Sequence, residues 1–198
     1  MQKPLLITLG VVALIIVIAF MFFGGAYNQF VTGEEKVKES WAQVENVYQR
    51  RADLIPNLVE TVKGYAAHEK STLQSVTDAR ARVSEMKITP DVVNDPQALA
   101  NFQAAQGALS SALSRLLAVV ERYPDLKASQ NFLALQSQLE GTENRITVER
   151  RRYNDSARAF NTMIRQFPNN FLAKMYGFSN KAYFEAEKGA EKAPKVSF

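Results

Sequence analysis

His68 is the only histidine in a chain of 198 residues that contains no cysteine. Thiol chemistry, disulfides and cysteine-ligated zinc are therefore excluded. A Ser-His-Asp triad or a histidine-rich metal site has to be built around this single imidazole. The surrounding segment AAHEK offers His68 no recognisable nucleophile or base, so we predict a partly exposed helix residue. A membrane-bound hydrolase that uses His68 is the alternative.

Acidic pairs are the next residues whose types could support catalysis. Neighbouring carboxylates occur at Glu34 and Glu35 and again at Glu140 and Glu143. Neither pair has a sequence context that indicates a desolvated cleft, and the chain contains neither G-x-x-x-x-G-K nor G-x-G-x-x-G. We therefore predict that the protein is not an enzyme and has no catalytic, metal-binding or cofactor-binding residues.

A basic tract near residue 150 could bind an anionic lipid headgroup or a nucleic acid. Its members are Arg150, Arg151, Arg152, Arg158 and Arg165. Glu143, Glu149 and Asp155 are interleaved with them, which favours ion pairs within the chain. The 24 basic and 20 acidic residues leave a net charge of only +4. We therefore expect no nucleic acid partner, and binding of lipid headgroups or nucleic acid through the arginine triplet is an alternative function.

The chain begins with an apolar stretch, residues 5–23, that carries no charged side chain. At about 1.5 Å per residue in a helix, these nineteen residues just cross a hydrocarbon core of about 30 Å. Lys3 and the small residues Gly24, Gly25 and Ala26 also fit a cleaved secretory signal, but the apolar part of a signal is usually shorter. We predict an uncleaved anchor that contacts the bilayer through residues 5–23.

The charges that flank this stretch predict its orientation. Lys3 precedes it, whereas the first charges after it are Glu34 and Glu35. Cytoplasmic flanks are enriched in lysine and arginine, so we expect a cytoplasmic N-terminus and an extracytoplasmic domain, although Lys36 and Lys38 weaken the bias.

Two apolar rows at heptad spacing, typical of coiled-coil packing, extend from residue 37 to residue 86. One row is Val37, Val44, Arg51, Leu58, Tyr65, Thr72, Ala79 and Met86, and the other is Trp41, Tyr48, Ile55, Val62, Glu69, Val76 and Val83. They predict one long amphipathic helix over residues 34–87. Pro56 lies inside it, and a kinked continuous helix is favoured over a chain reversal because both rows cross Pro56 in phase.

Two further long helices follow a loop around Pro90. Asp95 before Pro96 is typical of an N-cap, and the helix that it begins is expected to end near residue 123. The last long helix is expected to start near residues 126–129 and to end near residue 166. Its apolar row is Phe132, Leu139, Ile146, Tyr153, Phe160 and Phe167.

The predicted fold class is all-α: an N-terminal transmembrane helix followed by a long up-and-down antiparallel helical bundle. Residues 1–30 form the N-terminal tail, transmembrane helix and interfacial segment. Residues 31–186 form the bundle domain, and residues 187–198 form a flexible C-terminal tail.

Four polar residues occupy positions in the apolar rows. They are Arg51 and Glu69 in the two rows of the first helix, Gln106 in the apolar row of the helix over residues 96–123, and Glu149 in the second row of the last long helix. A charged side chain at such a position costs desolvation free energy unless it is paired, and its best-attested role is to fix helix register and partner. We expect Glu149 in particular to face a basic partner inside the bundle or in a neighbouring subunit.

The predicted helix lengths leave an apolar stripe without a partner. A helix over residues 34–87 is about 80 Å long, whereas the helix over residues 96–123 that folds back along it covers only about 42 Å. The uncovered stripe consists of Val37, Trp41, Val44, Tyr48 and Ile55. Exposed stripes of this kind usually mark an interface, so we predict a homo-oligomer packed through residues 37–58.

Four segments of the chain resemble the LemA family of bacterial membrane proteins. They are RRADLIPNLVETVKGYAAHE (50–69), RYPDLKASQNFLALQSQLEGTENRI (122–146), ERRRYNDSARAFN (149–161) and FPNNFLAKMYGF (167–178). The resemblance implies one transmembrane helix, a four-helix antiparallel bundle and no known catalytic residues. The fourth helix is expected to be a short one near residues 171–183. We therefore expect a single-pass protein of the bacterial cytoplasmic (inner) membrane that acts as a scaffold or interaction module for an unidentified envelope protein.

Overall fold

The computed structural model describes residues 2–86 and 90–185. Within these ranges the regular elements are α-helices and one 3₁₀ turn, and no β-strand occurs. They are α1 (Gln2–Tyr65), α2 (Lys70–Glu85), the 3₁₀ turn (Pro90–Asn94), α3 (Pro96–Val120), α4 (Pro124–Lys127), α5 (Gln130–Arg165) and α6 (Asn169–Tyr176). The predicted all-α fold is confirmed. The flexible tail predicted over residues 187–198 lies outside the described residues.

Helix α1 contains both the apolar stretch predicted as the anchor and the first part of the bundle. From Ile7 onward it is long and apolar enough to span a bilayer, with a mean hydropathy of 2.8 over its most apolar window, none of which is buried. Further along the same helix, Ala26 and Phe30 are already buried in the bundle core. The boundary predicted at residue 30 therefore falls inside one continuous helix.

Pro56 lies inside α1 without ending it. Proline has no N–H group, so the carbonyl group of Ala52, four residues earlier, loses its helical donor. The Nε group of Arg80 in α2 donates a hydrogen bond to this carbonyl oxygen at 2.9 Å. The freed acceptor is thereby satisfied, and the prediction of a continuous helix across Pro56 is confirmed.

Helix α1 nevertheless ends at Tyr65, so the prediction that it extends to residue 87 is wrong. Residues 66–69 form a turn, and α2 then runs back along α1. The carboxylate of Glu69 accepts hydrogen bonds from Arg122 and Tyr123 at 2.9 and 3.1 Å, which ties this turn to the far end of α3. Helix α3 consequently begins at the end of the bundle nearest the apolar part of α1, which we call the membrane-proximal end, and runs away from it.

Helices α3 and α5 match their predicted ranges closely. Asp95 caps α3 by accepting a hydrogen bond from the backbone N–H of Gln97 at 2.8 Å, and Pro96 is the first helical residue. Helix α5 packs along α1, and most of its apolar row is buried. Phe167 is 81 % exposed and lies beyond the end of α5, so its assignment to that row is wrong.

After α6 the chain forms an extended segment, residues 178–185, which we call the strap. The ring of Phe184 stacks on Trp41 with 5.9 Å between centroids, and the N–H of Ala182 donates to the carbonyl of Val93 at 2.8 Å. The short fourth helix is therefore confined to Asn169–Tyr176, and the strap follows it back along the bundle. The strap and the 3₁₀ turn together close the membrane-proximal end of the core.

Candidate functional site

The stripe predicted as an oligomer interface is buried within a single chain. Val37 and Val44 are 0 % exposed, Trp41 and Ile55 are 1 % exposed, and Tyr48 is 4 % exposed. The ring of Trp41 contacts Phe102 of α3, Tyr153 of α5 and Phe184 of the strap at centroid distances of 6.0, 5.5 and 5.9 Å. The interface prediction is therefore wrong, because the early turn and the strap supply the missing cover. That the protein forms a homo-oligomer stays a prediction.

At the middle of the bundle, Arg51 of α1 is only 2 % exposed. Its guanidinium donates hydrogen bonds to Ser110 at 3.0 Å, to Glu143 at 2.9 Å and to the side-chain oxygen of Gln106. The same group lies 5.2 Å from the ring centre of Tyr48. Arg51 thus binds Gln106, another of the four polar residues in the apolar rows. Together with Glu143 these two residues connect α1 with α3 and α5.

Arg51, Gln106, Ser110 and Glu143 form a polar centre. It lies between two apolar clusters. The membrane-proximal cluster contains Trp41 and Tyr48, whereas the distal cluster contains Ile55 and Leu58. A buried polar group that meets its partners in only one alignment of the helices disfavours shifted packings. The position of Arg51 between the two clusters fits the register role expected from the sequence.

A groove between α3 and α5 opens beside the polar centre. Helix α5 packs along α1 and α3 packs along α2, which leaves a cavity of about 390 Å³ between α3 and α5. It is lined by Leu58, Leu113, Leu117 and Leu139 and by Arg51, Ser110, Ser114, Gln136, Glu140 and Glu143. The buried residues Arg51 and Leu58 of α1 form the floor, and α5 contributes two carboxylates.

The other two polar residues of the rows bind basic partners outside the polar centre. Glu69 is paired with Arg122 at the distal end of the bundle. Glu149 has a side chain that is 14 % exposed, and it accepts a hydrogen bond from Arg152 at 2.8 Å. The basic partner of Glu149 therefore lies three residues later on its own helix.

His68 lies in the turn at residues 66–69 and is exposed, as predicted, although not in a helix. No group of three or more His, Asp or Glu residues able to hold a metal ion occurs in residues 2–86 and 90–185. His68 does not line the groove.

The basic tract makes contacts within the chain. Besides Arg152, Arg158 forms an ion pair with Asp155 at 3.4 Å, so the predicted internal ion pairs are confirmed at these two positions. Arg150 lies over the ring of Phe184, 4.7 Å from its centre, and packs against the strap. Arg150 therefore helps to hold the strap against α5.

Sequence reasoning missed the polar residues that bind the strap. Three side-chain amides each bond to both the N–H and the C=O group of one strap residue, at 2.6–3.3 Å; the pairs are Asn161 with Lys181, Asn154 with Phe184 and Gln103 with Glu185. Asn154 and Asn161 each follow an aromatic member of the α5 row, so an amide row was visible in the sequence. Nothing in that spacing indicated that its partner is an extended segment.

Residues 40–198 match the sequence profile of a family described as the LemA family. The chain belongs to the LemA family. The resemblance carried by the four segments is therefore confirmed. The matched region of this LemA-family protein begins beyond the apolar part of α1 and includes the whole groove.

Three relatives illustrate the similarity of the LemA-family protein to known proteins. It is 30 % identical over 191 residues to Magnetosome protein MamQ 2 of Paramagnetospirillum magneticum, which covers 86 % of this chain and 68 % of the relative. It is 29 % identical over 209 residues to Magnetosome protein MamQ of Magnetospirillum gryphiswaldense, covering 98 % and 76 %. It is 25 % identical over 169 residues to Protein LemA of Metamycoplasma hominis, covering 85 % and 73 %. With the apolar part of α1, these relationships indicate a membrane protein.

Proposed function

We propose that this protein is a membrane-anchored scaffold that binds an apolar segment of another bacterial envelope protein in the groove between α3 and α5. The observation that carries the proposal is the continuity of α1. One helix supplies the membrane span and, through Arg51 and Leu58, the floor of the groove.

Because α1 is continuous, the groove is expected to lie at a fixed distance from the membrane. Arg51 lies 28 residues beyond Phe23, the last residue of the apolar run, which corresponds to about 42 Å along a helix. No flexible linker separates the span from the bundle. A site held at one height favours partners whose segment reaches the same level, and a shared membrane raises their effective concentration.

The lining of the groove suits an amphipathic helix as its occupant. The leucines of the groove form an apolar surface. The apolar side chains of a partner helix, which recur at helical spacing, can pack against this surface. The lining carries the carboxylates of Glu140 and Glu143 and the guanidinium of Arg51, which is one positive charge against two negative charges. A partner helix with a basic residue beside its apolar face is therefore favoured.

A binding role is supported over an enzymatic one by the placement of the candidate residues. His68 is exposed in a turn, and Arg152 and Arg158 are paired with acids on their own helix. The names of the relatives, Magnetosome protein MamQ and Protein LemA, do not name a reaction. We therefore propose no catalytic step.

A photo-crosslinking side chain at Leu117 tests this role in the full-length, membrane-embedded protein. The matched control is the same side chain at Val148, which is 48 % exposed on α5 and does not line the groove. We expect an adduct with one membrane protein at Leu117 and none at Val148. In a Glu140→Lys background the yield should fall several-fold, because the rim charge that attracts the basic partner is reversed.

Equal labelling at Leu117 and Val148 contradicts the proposal. A crosslinking yield at Leu117 that Glu140→Lys leaves unchanged also contradicts it. An adduct between two copies of the chain would mean that the groove binds a second copy of this protein instead of another envelope protein. Glu140 is exposed, so its substitution is not expected to unfold the bundle.

We further propose that α1 crosses the bacterial inner membrane once, with a cytoplasmic N-terminus and an extracytoplasmic bundle. The charge distribution around the span supports this orientation, since Lys3 precedes it and Glu34 and Glu35 follow it. Protease added to intact spheroplasts should degrade the bundle. Protection of the bundle until the membrane is permeabilised reverses the orientation.

A further inference from the structure

The short helix α6 and the residue before it carry an apolar surface that no other described residue covers. Phe167, Phe171 and Met175 are 81 %, 66 % and 62 % exposed, the highest values among large apolar side chains outside the span in the described residues. On the opposite face of α6, Leu172 and Ala173 are buried and attach the helix to the bundle. The exposed surface therefore points away from the core.

This surface lies at the level where α1 leaves the membrane. The ring of Tyr176, the last residue of α6, is 5.1 Å from the ring of Tyr27 in α1. Tyr27 lies four residues beyond Phe23, which is about 6 Å along the helix. Phe178 packs against both Tyr27 and Phe30, at 6.0 and 5.4 Å, and holds the end of α6 in place. Helix α6 is thus adjacent to the end of the hydrocarbon core.

The charges around α6 match a lipid surface. Residues 156–184 contain four basic residues and no acidic residue. Lys181 is buried and paired with Glu34, whereas Arg165 and Lys174 are exposed next to the apolar surface. Exposed apolar side chains flanked by cations are typical of helices that lie in the interface of a membrane with anionic lipids.

We propose that α6, with Phe167, Phe171 and Met175, inserts into the interfacial layer of the leaflet from which α1 emerges. The proposal rests on the membrane span of α1 and is independent of the groove between α3 and α5. Two contacts on one chain, a span and an interfacial helix, restrict both the tilt of the bundle and its rotation about α1. The groove then faces one direction relative to the membrane plane.

Tryptophan fluorescence tests this contact in the full-length protein reconstituted into vesicles of phosphatidylcholine and phosphatidylglycerol. The added probe is Phe171→Trp, and Leu133→Trp is the matched control, because Leu133 is 49 % exposed at the distal end of the bundle. The native Trp41 is buried and lies about 27 Å beyond Phe23, so its emission is a constant background that also reports the fold.

We expect the emission added by Phe171→Trp to be blue-shifted and to be quenched by lipids brominated near the headgroup. The emission added by Leu133→Trp should be red-shifted and unaffected by the same lipids. Blue-shifted but unquenched emission at position 171 means that protein covers α6, and red-shifted, unquenched emission means that water does; either result overturns the proposal. Met175→Trp repeats the measurement if Phe171→Trp alters the circular dichroism spectrum.

Discussion

Replacing Arg80 by methionine tests whether α1 tolerates Pro56 because α2 supplies the missing donor. Arg80→Met keeps most of the apolar stem and removes the Nε group that bonds to the carbonyl of Ala52 at 2.9 Å. Ala52 is 8 % exposed, so this carbonyl loses its protein donor in a largely buried place. Leaving such an acceptor unpaired costs about 1–3 kcal/mol, and because Arg80 is itself half-buried we expect about 1.5 kcal/mol.

The free-energy change translates into a measurable shift in melting temperature. For a domain of this size, 1 kcal/mol lowers Tm by about 2–4 °C, so Arg80→Met should lower it by about 3–6 °C. Thermal melts followed by circular dichroism in mild detergent give this value. Arg82→Met is the matched control, because Arg82 is exposed on the same helix and its loss should change Tm little.

Pro56→Ala completes a double-mutant cycle. Alanine at position 56 restores an N–H group four residues after Ala52, so the helix itself satisfies the carbonyl. In that background Arg80→Met should cost about 0.5 kcal/mol or less, giving a coupling energy of about 1 kcal/mol between two residues on different helices. An equal cost of Arg80→Met in both backgrounds would show that Arg80 acts through some other contact and would refute the reasoning.

Substitutions at four other positions have defined outcomes. Arg51→Met should lower the free energy of unfolding by about 2–3 kcal/mol because it leaves buried acceptors unpaired, whereas Glu143→Gln should cost below about 1 kcal/mol in urea unfolding, because the Glu143 side chain is itself 53 % exposed. Gly33→Val should destabilise by about 1–3 kcal/mol, because even a Cβ atom there meets Met163 at 2.5 Å; Gly33→Ala should lie at the low end, since the methionine end can rotate. Burial raises the pKa of the Tyr153 hydroxyl above its ordinary value of about 10. The folded state therefore holds that proton more tightly, and this contribution to stability is complete below about pH 10 and declines above it. Tyr153→Phe should flatten the alkaline decline of Tm, and an unchanged decline would assign it to other groups.

Apolar periodicity predicted the buried faces well, because the same spacing that defines an amphipathic helix also selects its core residues. Every member of the two α1 rows from Val37 to Val62 is buried, including the polar residue Arg51. The pair Asp95 and Pro96 predicted the start of α3 correctly, because a side-chain cap is a local interaction within the first turn of a helix.

The turn at residues 66–69 could not be predicted in the same way. The segment has neither glycine nor proline within it, and the heptad rows continue through the turn in phase. The reversed helix α2 uses the same spacing to face a different neighbour, so the periodicity does not distinguish one long helix from a hairpin. The predicted oligomer interface followed from this one error in chain direction.

The binding of the strap to the bundle also could not be predicted from local sequence patterns. Asn154 and Asn161 recognise backbone groups of residues that follow them by 30 and 20 positions. Such bonds do not depend on the side chains of the strap, so no complementary pattern in residues 178–185 indicates them. Only the tertiary arrangement shows that the strap binds to α5 and α3 in the membrane-proximal part of the bundle.

The strap has a consequence for the order in which the protein is made. Translation produces α1 first and residues 178–185 long afterwards, so the anchor can enter the membrane before the bundle is complete. Until Phe184 arrives, the ring of Trp41 lacks the stacking partner that covers it in the folded chain. The nascent protein therefore displays, for most of its synthesis, the stripe that resembles an oligomer interface in the sequence. The membrane-proximal half of the bundle is the part that most needs protection from aggregation on the ribosome.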